Sequence, residues 1–510
     1  MTNAPGQGRQ SEIWAVRGPA VLPVDLRVEA EQDEQDDLWA DEDELDWLGS
    51  PGRPADEARL TAIFDSPNVA PVLVPDAVVV VAGDVIVSAG DYRNELDMER
   101  LLARRQPDQF DGRTVAAIEA ARRWDGFILP GLVDIHCHGG GGQSFPDAAG
   151  PAEAQAAIRE HLRHGTTSLV ASLVTDSPEV MLRQTAMLAG LCEAGRLAGI
   201  HWEGPFLAAG RAGAQDPAKM QAPSAELARA AAQAARGWLA TMTLAPELPG
   251  VVAAGAGGWT SAASGKSEPG GADGAVGGRG EAVGESVLEA LAAAGAVASF
   301  GHTNCSAEEM AAAVAAANAA LARRPAGAKA GFGRVATATH LFNGMRPIHH
   351  RDPGPAMEAM GQAALGQMTV ELVADGVHLD GRLVGSVFAL VGWQNVALVT
   401  DAMAAAGMPD GSYQLGPAAV TVAGGVARLA GGGSIAGGTA HLIDVVRSAW
   451  RLGGVPLAQA VGAASLTPAR VLGRADRFGC LAARRQADLI LADADLNPVQ
   501  VYKAGRLVRR

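Results

Sequence analysis

The segment PGLVDIHCHGGGG (Pro130–Gly142) decides the fold. Phe127-Ile128-Leu129 and then Leu132-Val133-Asp134-Ile135 read as strand, and the run Gly139 to Gly142 ends it. His136 and His138 stand two apart, so on an extended chain both imidazoles project from one face, whereas helical spacing would separate them. The pair therefore lies where a strand gives way to a loop, with two nitrogens free to share one ion. Cys137 alternates to the opposite face, where core packing is its expected role.

The same placement recurs along the chain. Glu203 follows Ala198-Gly199-Ile200-His201-Trp202, His302 follows Val297-Ala298-Ser299-Phe300, His340 follows Val335 to Thr339, and Asp401 follows Val396 to Thr400. Between these strands lie Ala-rich segments of helical composition: Pro151–His164, Ala225–Ala235, Gly284–Ala294, Ala307–Ala322 and Val384–Val391. Strand alternating with helix, with ligand-type residues at five strand ends, predicts an α/β fold: a (β/α)8 TIM-like barrel whose site opens at the C-terminal mouth. An open doubly wound sheet fits less well, because the glycine run directly follows two histidines and is not a phosphate fingerprint after the first strand.

The 510 residues with 48% apolar content suffice for a sizeable core. No apolar run reaches about eighteen residues and no basic-then-apolar leader opens the chain, so a cytoplasmic protein is expected, without membrane contact. The net charge of -15 is local: Glu29 to Asp46 holds eleven acidic and no basic residues, which leaves about -4 for the remainder. Nucleic-acid binding, which normally needs a basic stripe, is not expected. Cys137, Cys192, Cys305 and Cys480 are scattered, with no zinc-knuckle or disulfide pattern.

Three regions follow. Residues 1–68 are read as an acidic, disordered extension. Residues 69–128 and 472–510 form a small β-sandwich from both ends of the catalytic region: Ala77–Val81 and Val85–Ala89 flank the turn Gly83-Asp84, and Ala487–Leu491, Val499–Tyr502 and Gly505–Val508 repeat the pattern. Residues 129–471 form the barrel, with a disordered Gly/Ala/Ser-rich insertion at about 250–284.

HWEGPFL (His201–Leu207), TLAPE (Thr243–Glu247), GHTN (Gly301–Asn304), THLFNGM (Thr339–Met345), HHRDPG (His349–Gly354) and ADGVHL (Ala374–Leu379) together resemble the N-acetylglucosamine-6-phosphate deacetylases of the amidohydrolase superfamily. The resemblance runs from Val72 to Arg510, apart from insertions around 94–123 and 250–284. It implies a β/α barrel with a β-sandwich, a homodimer, and removal of the acetyl group from N-acetyl-D-glucosamine 6-phosphate.

Amide cleavage needs a strong nucleophile, a polarised carbonyl and a protonated leaving nitrogen. Glu203, His302 and His340 are the expected ligands of one divalent ion. His136, His138 and Asp401, with Glu203 bridging, could hold a second, so one or two ions are expected, the intact histidine pair favouring two. Zinc is the first choice, with iron, manganese and cobalt accepted by the same donors. Asp401 is assigned as general base and then general acid, in preference to a helix N-cap, and His378 as the carbonyl polariser, with Asp375 holding its loop or tautomer. The resemblance places the sugar phosphate on Asn343, Gly344, His378, Ala214, Gln215 and Arg351, the last reaching across the dimer interface. Gln215 stands where the family commonly has histidine, and Gly438 where serine is common. A deacetylase of another acetamido sugar phosphate, such as the galactosamine analogue, therefore stays open, as does a non-enzymatic scaffold.

Overall fold

The computed structural model describes residues 13–25, 69–105, 112–253, 284–324, 332–431 and 433–509. Eight parallel strands follow one another around a barrel: Leu132–Asp134, Thr166–Leu173, Gly199–Glu203, Leu239–Leu244, Val297–Phe300, Ala336–Ala338, Met368–Leu372 and Val396–Leu398. Each pairs with its neighbour in sequence. Every residue of these strands is buried, as expected where helices cover one face and the barrel interior fills the other. The first and eighth strands are joined just past their ends. There the Asp401 N–H donates to His136 O at 2.9 Å and Thr400 Oγ1 donates to Asp134 Oδ2 at 2.6 Å.

The helices start where the sequence supplies caps. Ser286 and Ser306 accept from the third helical N–H of Val287–Ala293 and Ala307–Ala322, and Glu289 and Glu309 return the bond. Small side chains such as Ala313, Ala317 and Ala290 line the helix faces turned to the barrel core, which lets the backbones approach closely. Beside the mouth, a three-stranded sheet (Gly411–Leu415, Ala418–Ala423, Val426–Leu429) not foreseen from the sequence packs Leu415, Val420 and Val422 against Val174 and Met403 to Ala405.

The flanking segments share one sheet in the order Arg506–Leu507, Pro498–Lys503, Leu489–Ala492, Phe127–Pro130, Ile13–Asp25, Val69–Ala82, Val85–Asp91. It folds over on itself, bringing the rings of Trp14 and Tyr502 to 4.8 Å. One face buries Val16, Leu22, Val79, Ile128 and Leu491; the other lies under helices Tyr92–Arg105 and Arg113–Glu119 through Leu96 and Ile118. The two helices occupy the stretch around 94–123 that departs from the family pattern.

One expectation is corrected here. Ile13–Asp25, assigned to a disordered extension, is a thirteen-residue strand in the middle of the sheet, antiparallel to Val69–Ala82. Val16, Ala20 and Leu22 bury side chains that an acidic tail could not, and Arg17 forms a two-pronged pair with Asp76 at 2.6 and 2.5 Å. The acidic run 29–46 and most of the 250–284 insertion lie outside the described residues. Among the described residues no helix is long and apolar enough to cross a membrane.

A buried strand and a loose arm differ measurably. Leu22 is 4% exposed, so Leu22→Ala should cost about 2–4 kcal/mol of stability, read by chemical denaturation. A cost within about 0.5 kcal/mol, the range of surface substitutions, would return this segment to the extension.

Candidate metal centre

Each ligand-type residue expected at a strand end stands at the mouth of the barrel. Glu203 is the last residue of its strand, His302 and His340 come two residues after theirs, and Asp401 three. His302, His340 and Asp401 have φ of 47°, 29° and 48°, a left-handed conformation uncommon for any residue with a side chain, though Asp and His adopt it more readily than most. For Asp401 this excludes the N-cap geometry, which needs extended backbone. Strain at three ligands of one cluster is the pattern of a functional constraint imposed by a rigid scaffold.

The six side chains form two buried triads that meet at Glu203. Glu203 Oε1 lies 3.0 Å from His302 Nε2 and 2.9 Å from His340 Nε2, and those nitrogens are 3.1 Å apart. His136 Nε2 and His138 Nε2 are 3.2 Å apart and lie 3.4 and 3.3 Å from Asp401 Oδ1. Glu203 Oε2 reaches to 3.3 Å from His138 Nε2, so one carboxylate faces both triads. Donors about 2.0–2.1 Å from a tetrahedral ion are separated by roughly 3.3 Å, and both triads fall near that spacing.

The tautomers sharpen the fit. Nδ1–H of His302 donates to Arg211 O at 2.8 Å, and Nδ1–H of His136 to Glu371 Oε2 at 3.0 Å. A neutral imidazole with Nδ1 protonated has a bare Nε2. Both bare nitrogens point at carboxylate oxygens, which are also lone-pair donors, so the centre is repulsive unless positive charge sits within it.

The ionisation tendencies carry the same message. Burial opposes charge on Asp401 and Glu203, yet His136 and His138 hold Asp401, and His138, His302 and His340 hold Glu203, well below the usual carboxylate range. Burial likewise opposes a charge on His136, but Asp401, Glu371 and Glu203 raise it from 6.5 to about 10. Without an ion the cluster keeps its charge balance by holding protons; a divalent ion supplies the same charge at the point of convergence.

His378 joins this site. Asp375 Oδ2 accepts from its Nδ1–H at 2.8 Å and Asp375 Oδ1 accepts from the backbone N–H groups of Val377 and His378, so Nε2 faces Asp401 Oδ2 at 3.9 Å. Gln215 is buried against the cluster, its Nε2 donating to Glu203 Oε2 and its Oε1 accepting from Thr175 N. Gly344 has φ of 62° and presses on the His302 ring, where a Cβ would come within 2.8 Å of Nδ1. Asn343 donates to His340 O at 3.0 Å, and Ala214 is half-buried beside the three-stranded sheet. Arg351 is exposed on the segment leading to helix Gly354–Ala364, outside the buried cluster, next to the paired rings of His349 and His350.

Two other ligand-type groups do not match this geometry. In Glu160, His164 and His441 the two rings stack at 3.6 Å and 15°, so their in-plane lone pairs run parallel instead of converging. In Asp134, Cys137 and His161 the donors are engaged elsewhere, Asp134 by Thr400 and the His136 N–H, and His161 Nε2 by Gly139 O.

Glu371 and Arg211 were not picked out from the sequence. Glu371 sits inside a strand, MTVEL, where a lone buried acid is the only signal, and Arg211 contributes a backbone oxygen that no side-chain pattern encodes.

A sequence profile described as the amidohydrolase family matches residues 127–256 and 287–508. The chain is 31% identical to N-acetylglucosamine-6-phosphate deacetylase of Mus musculus, a match covering 81% of this chain and 89% of that protein. A solved variant of N-acetyl-D-glucosamine-6-phosphate deacetylase from Mycobacterium smegmatis, in complex with N-acetyl-D-glucosamine-6-phosphate, aligns at TM-score 0.68 and 34% identity over 86% of this chain and 96% of that one. The chain belongs to the N-acetylglucosamine-6-phosphate deacetylase family of amidohydrolases. A shorter match, 38% identical over 33% of this chain and 43% of the relative, is to N-acetylgalactosamine-6-phosphate deacetylase of Escherichia coli O157:H7.

Amidohydrolases are metal-dependent, and in this member the proton held by His136 should trade places with the ion. With a folded pKa of about 10 against 6.5 unfolded, that proton's stabilisation is complete below pH 6.5 and is lost as pH rises toward 10. Metal-stripped protein should therefore lose thermal stability across this interval, while metal-loaded protein changes less. Parallel melting-temperature profiles for the two forms would contradict the exchange.

Proposed function

We propose that this protein hydrolyses N-acetyl-D-glucosamine 6-phosphate to D-glucosamine 6-phosphate and acetate. The observation that carries the reading is the position of Asp401: one carboxylate oxygen lies within 3.4 Å of His136 and His138, and the other faces His378. A carboxylate so placed can take a proton from a water attacking the acetyl carbon and deliver it to the nitrogen as the C–N bond breaks. Asp375 keeps a proton on His378 Nδ1 and raises its pKa against the effect of burial, so Nε2–H is available to the carbonyl oxygen as negative charge develops.

Glu203, His302 and His340 would hold one divalent ion, and His136, His138 and Asp401 a second, with Glu203 between them. Bound there, such an ion supplies Lewis-acid chemistry, acidifying water and polarising a carbonyl. Zinc suits this set of nitrogens and carboxylate oxygens, as do iron, manganese and cobalt.

For the sugar phosphate, the backbone N–H groups at Asn343-Gly344 and the exposed guanidinium of Arg351 supply anion-binding chemistry. Arg351 lies outside the cluster of its own chain, which supports a homodimer in which it serves the partner's site. Gln215 keeps the galactosamine analogue as a second reading, because a neutral amide stands where the family commonly presents an imidazole.

Acetate release from N-acetylglucosamine 6-phosphate, its galactosamine epimer and unphosphorylated N-acetylglucosamine tests both readings. The glucosamine phosphate should have the highest kcat/KM; a higher value for the epimer selects the second reading, and release from none of them overturns the function. Asp401→Asn should lower turnover by about 10²–10⁴ while the Glu203, His302 and His340 position keeps its ion. Near-normal turnover would remove Asp401 from proton transfer.

A further inference from the structure

Of the four clustered imidazoles, His136 alone has a carboxylate behind it. His302 donates to a backbone carbonyl, and among the described residues the Nδ1 atoms of His138 and His340 have no hydrogen-bond partner. The carboxylate is Glu371, 1% exposed, near the C-terminal end of the seventh barrel strand. Its Oε2 accepts from His136 Nδ1–H at 3.0 Å and also lies 3.2 Å from the backbone N–H of His340, while its own carbonyl accepts from Leu341 N at 2.8 Å. One side chain thus touches a ligand from each triad, and it braces His340 where that residue's φ is 29°.

We propose that Glu371 is a positioning residue that determines whether the His136, His138 and Asp401 position holds an ion. The inference rests on the two-ion reading above. Its first component is geometric. With Nδ1–H committed to Glu371, His136 presents Nε2 without a proton, turned toward Asp401 and His138. Rotation of the ring would break a buried hydrogen bond to a charged acceptor, among the stronger bonds a protein makes. Its second component is electronic: a carboxylate behind an imidazole makes the opposite nitrogen a better donor to a cation, and removing such partners typically weakens metal binding by about 10–100-fold. The other triad has no carboxylate behind its histidines, so the effect of Glu371 falls unevenly on the two positions.

The test is Zn2+ titration of metal-stripped full-length protein against a chromogenic competing chelator, which reads the number of equivalents and the affinity of each. Wild type should bind two equivalents. Glu371→Gln keeps an acceptor of the same shape and loses only the charge; it should leave the tighter equivalent unchanged and weaken the other about tenfold. Glu371→Leu removes acceptor and charge together and should weaken that equivalent about a hundredfold. A role confined to packing would lower the melting temperature of the metal-free variants and leave the ratio of the two affinities as in wild type, and that result would overturn the inference. Two equivalents in wild type with unaltered affinities in both variants would overturn it alone. A single equivalent in wild type would overturn the two-ion reading and this inference with it.

Discussion

Two carboxylates and four imidazole nitrogens converge in a largely buried space at the mouth of the barrel, and that convergence sets the terms for the rest of the molecule. Burying an uncompensated carboxylate is among the most unfavourable things a fold can do. Glu203 and Asp401 are 3% and 9% exposed, so positive charge between them is a structural requirement as well as a chemical one. The left-handed backbone at His302, His340 and Asp401 is tolerated for the same reason. Each lies within three residues of a strand whose ladder is paired on both sides or at the barrel seam, so local strain cannot relax without breaking the barrel.

The seam shows how closely folding and chemistry are joined. The first and eighth strands share no ladder of their own; the barrel closes through His136 O and Asp401 N–H, through Asp134 and Thr400, and through the bridge between Cys137 and Ala402. These segments carry three donors of one triad. Forming the last contact of the barrel and bringing His136, His138 and Asp401 together are therefore one event. Asp134 is raised by burial to about 6 despite bonds from Thr400 and the His136 N–H, so its contribution to this seam is greatest when protonated and falls as pH rises through about 6.

What the sequence made legible was short-range. The spacing of His136 and His138, the glycine run after that pair and the apolar runs before each ligand are local patterns, and they led to the barrel and to all six clustered donors. Glu371 was not legible, because its partner lies 235 positions away and nothing around MTVEL distinguishes a buried acid with a task from one merely accommodated. The strand Ile13–Asp25 was missed for a related reason. Gly18, Pro19 and Pro23 interrupt its alternation, an acidic run follows directly, and its partner Val69–Ala82 lies beyond that run. Gln215 was read as a sugar contact by analogy of position; its amide is turned onto Glu203, a placement that depends on the Thr175 N–H holding its other end.

The charge count inside the cluster bears on how many ions it suits. Asp375 and His378 form a pair that balances itself, which leaves Glu203, Asp401 and Glu371 as the three carboxylates whose oxygens meet the four imidazole rings, Asp134 lying behind them against the His136 backbone N–H. With neutral imidazoles, one divalent ion leaves a net negative charge in a region that must receive a phosphate ester and then accumulate charge on a carbonyl oxygen. Two ions leave a net positive charge, which favours an anionic substrate and stabilises an oxyanion more than the neutral amide it comes from. Glu371 keeps that surplus small. Without its charge, the second ion would enter a site already strongly positive from the first, and the repulsion between the ions would fall on the position that His136 holds.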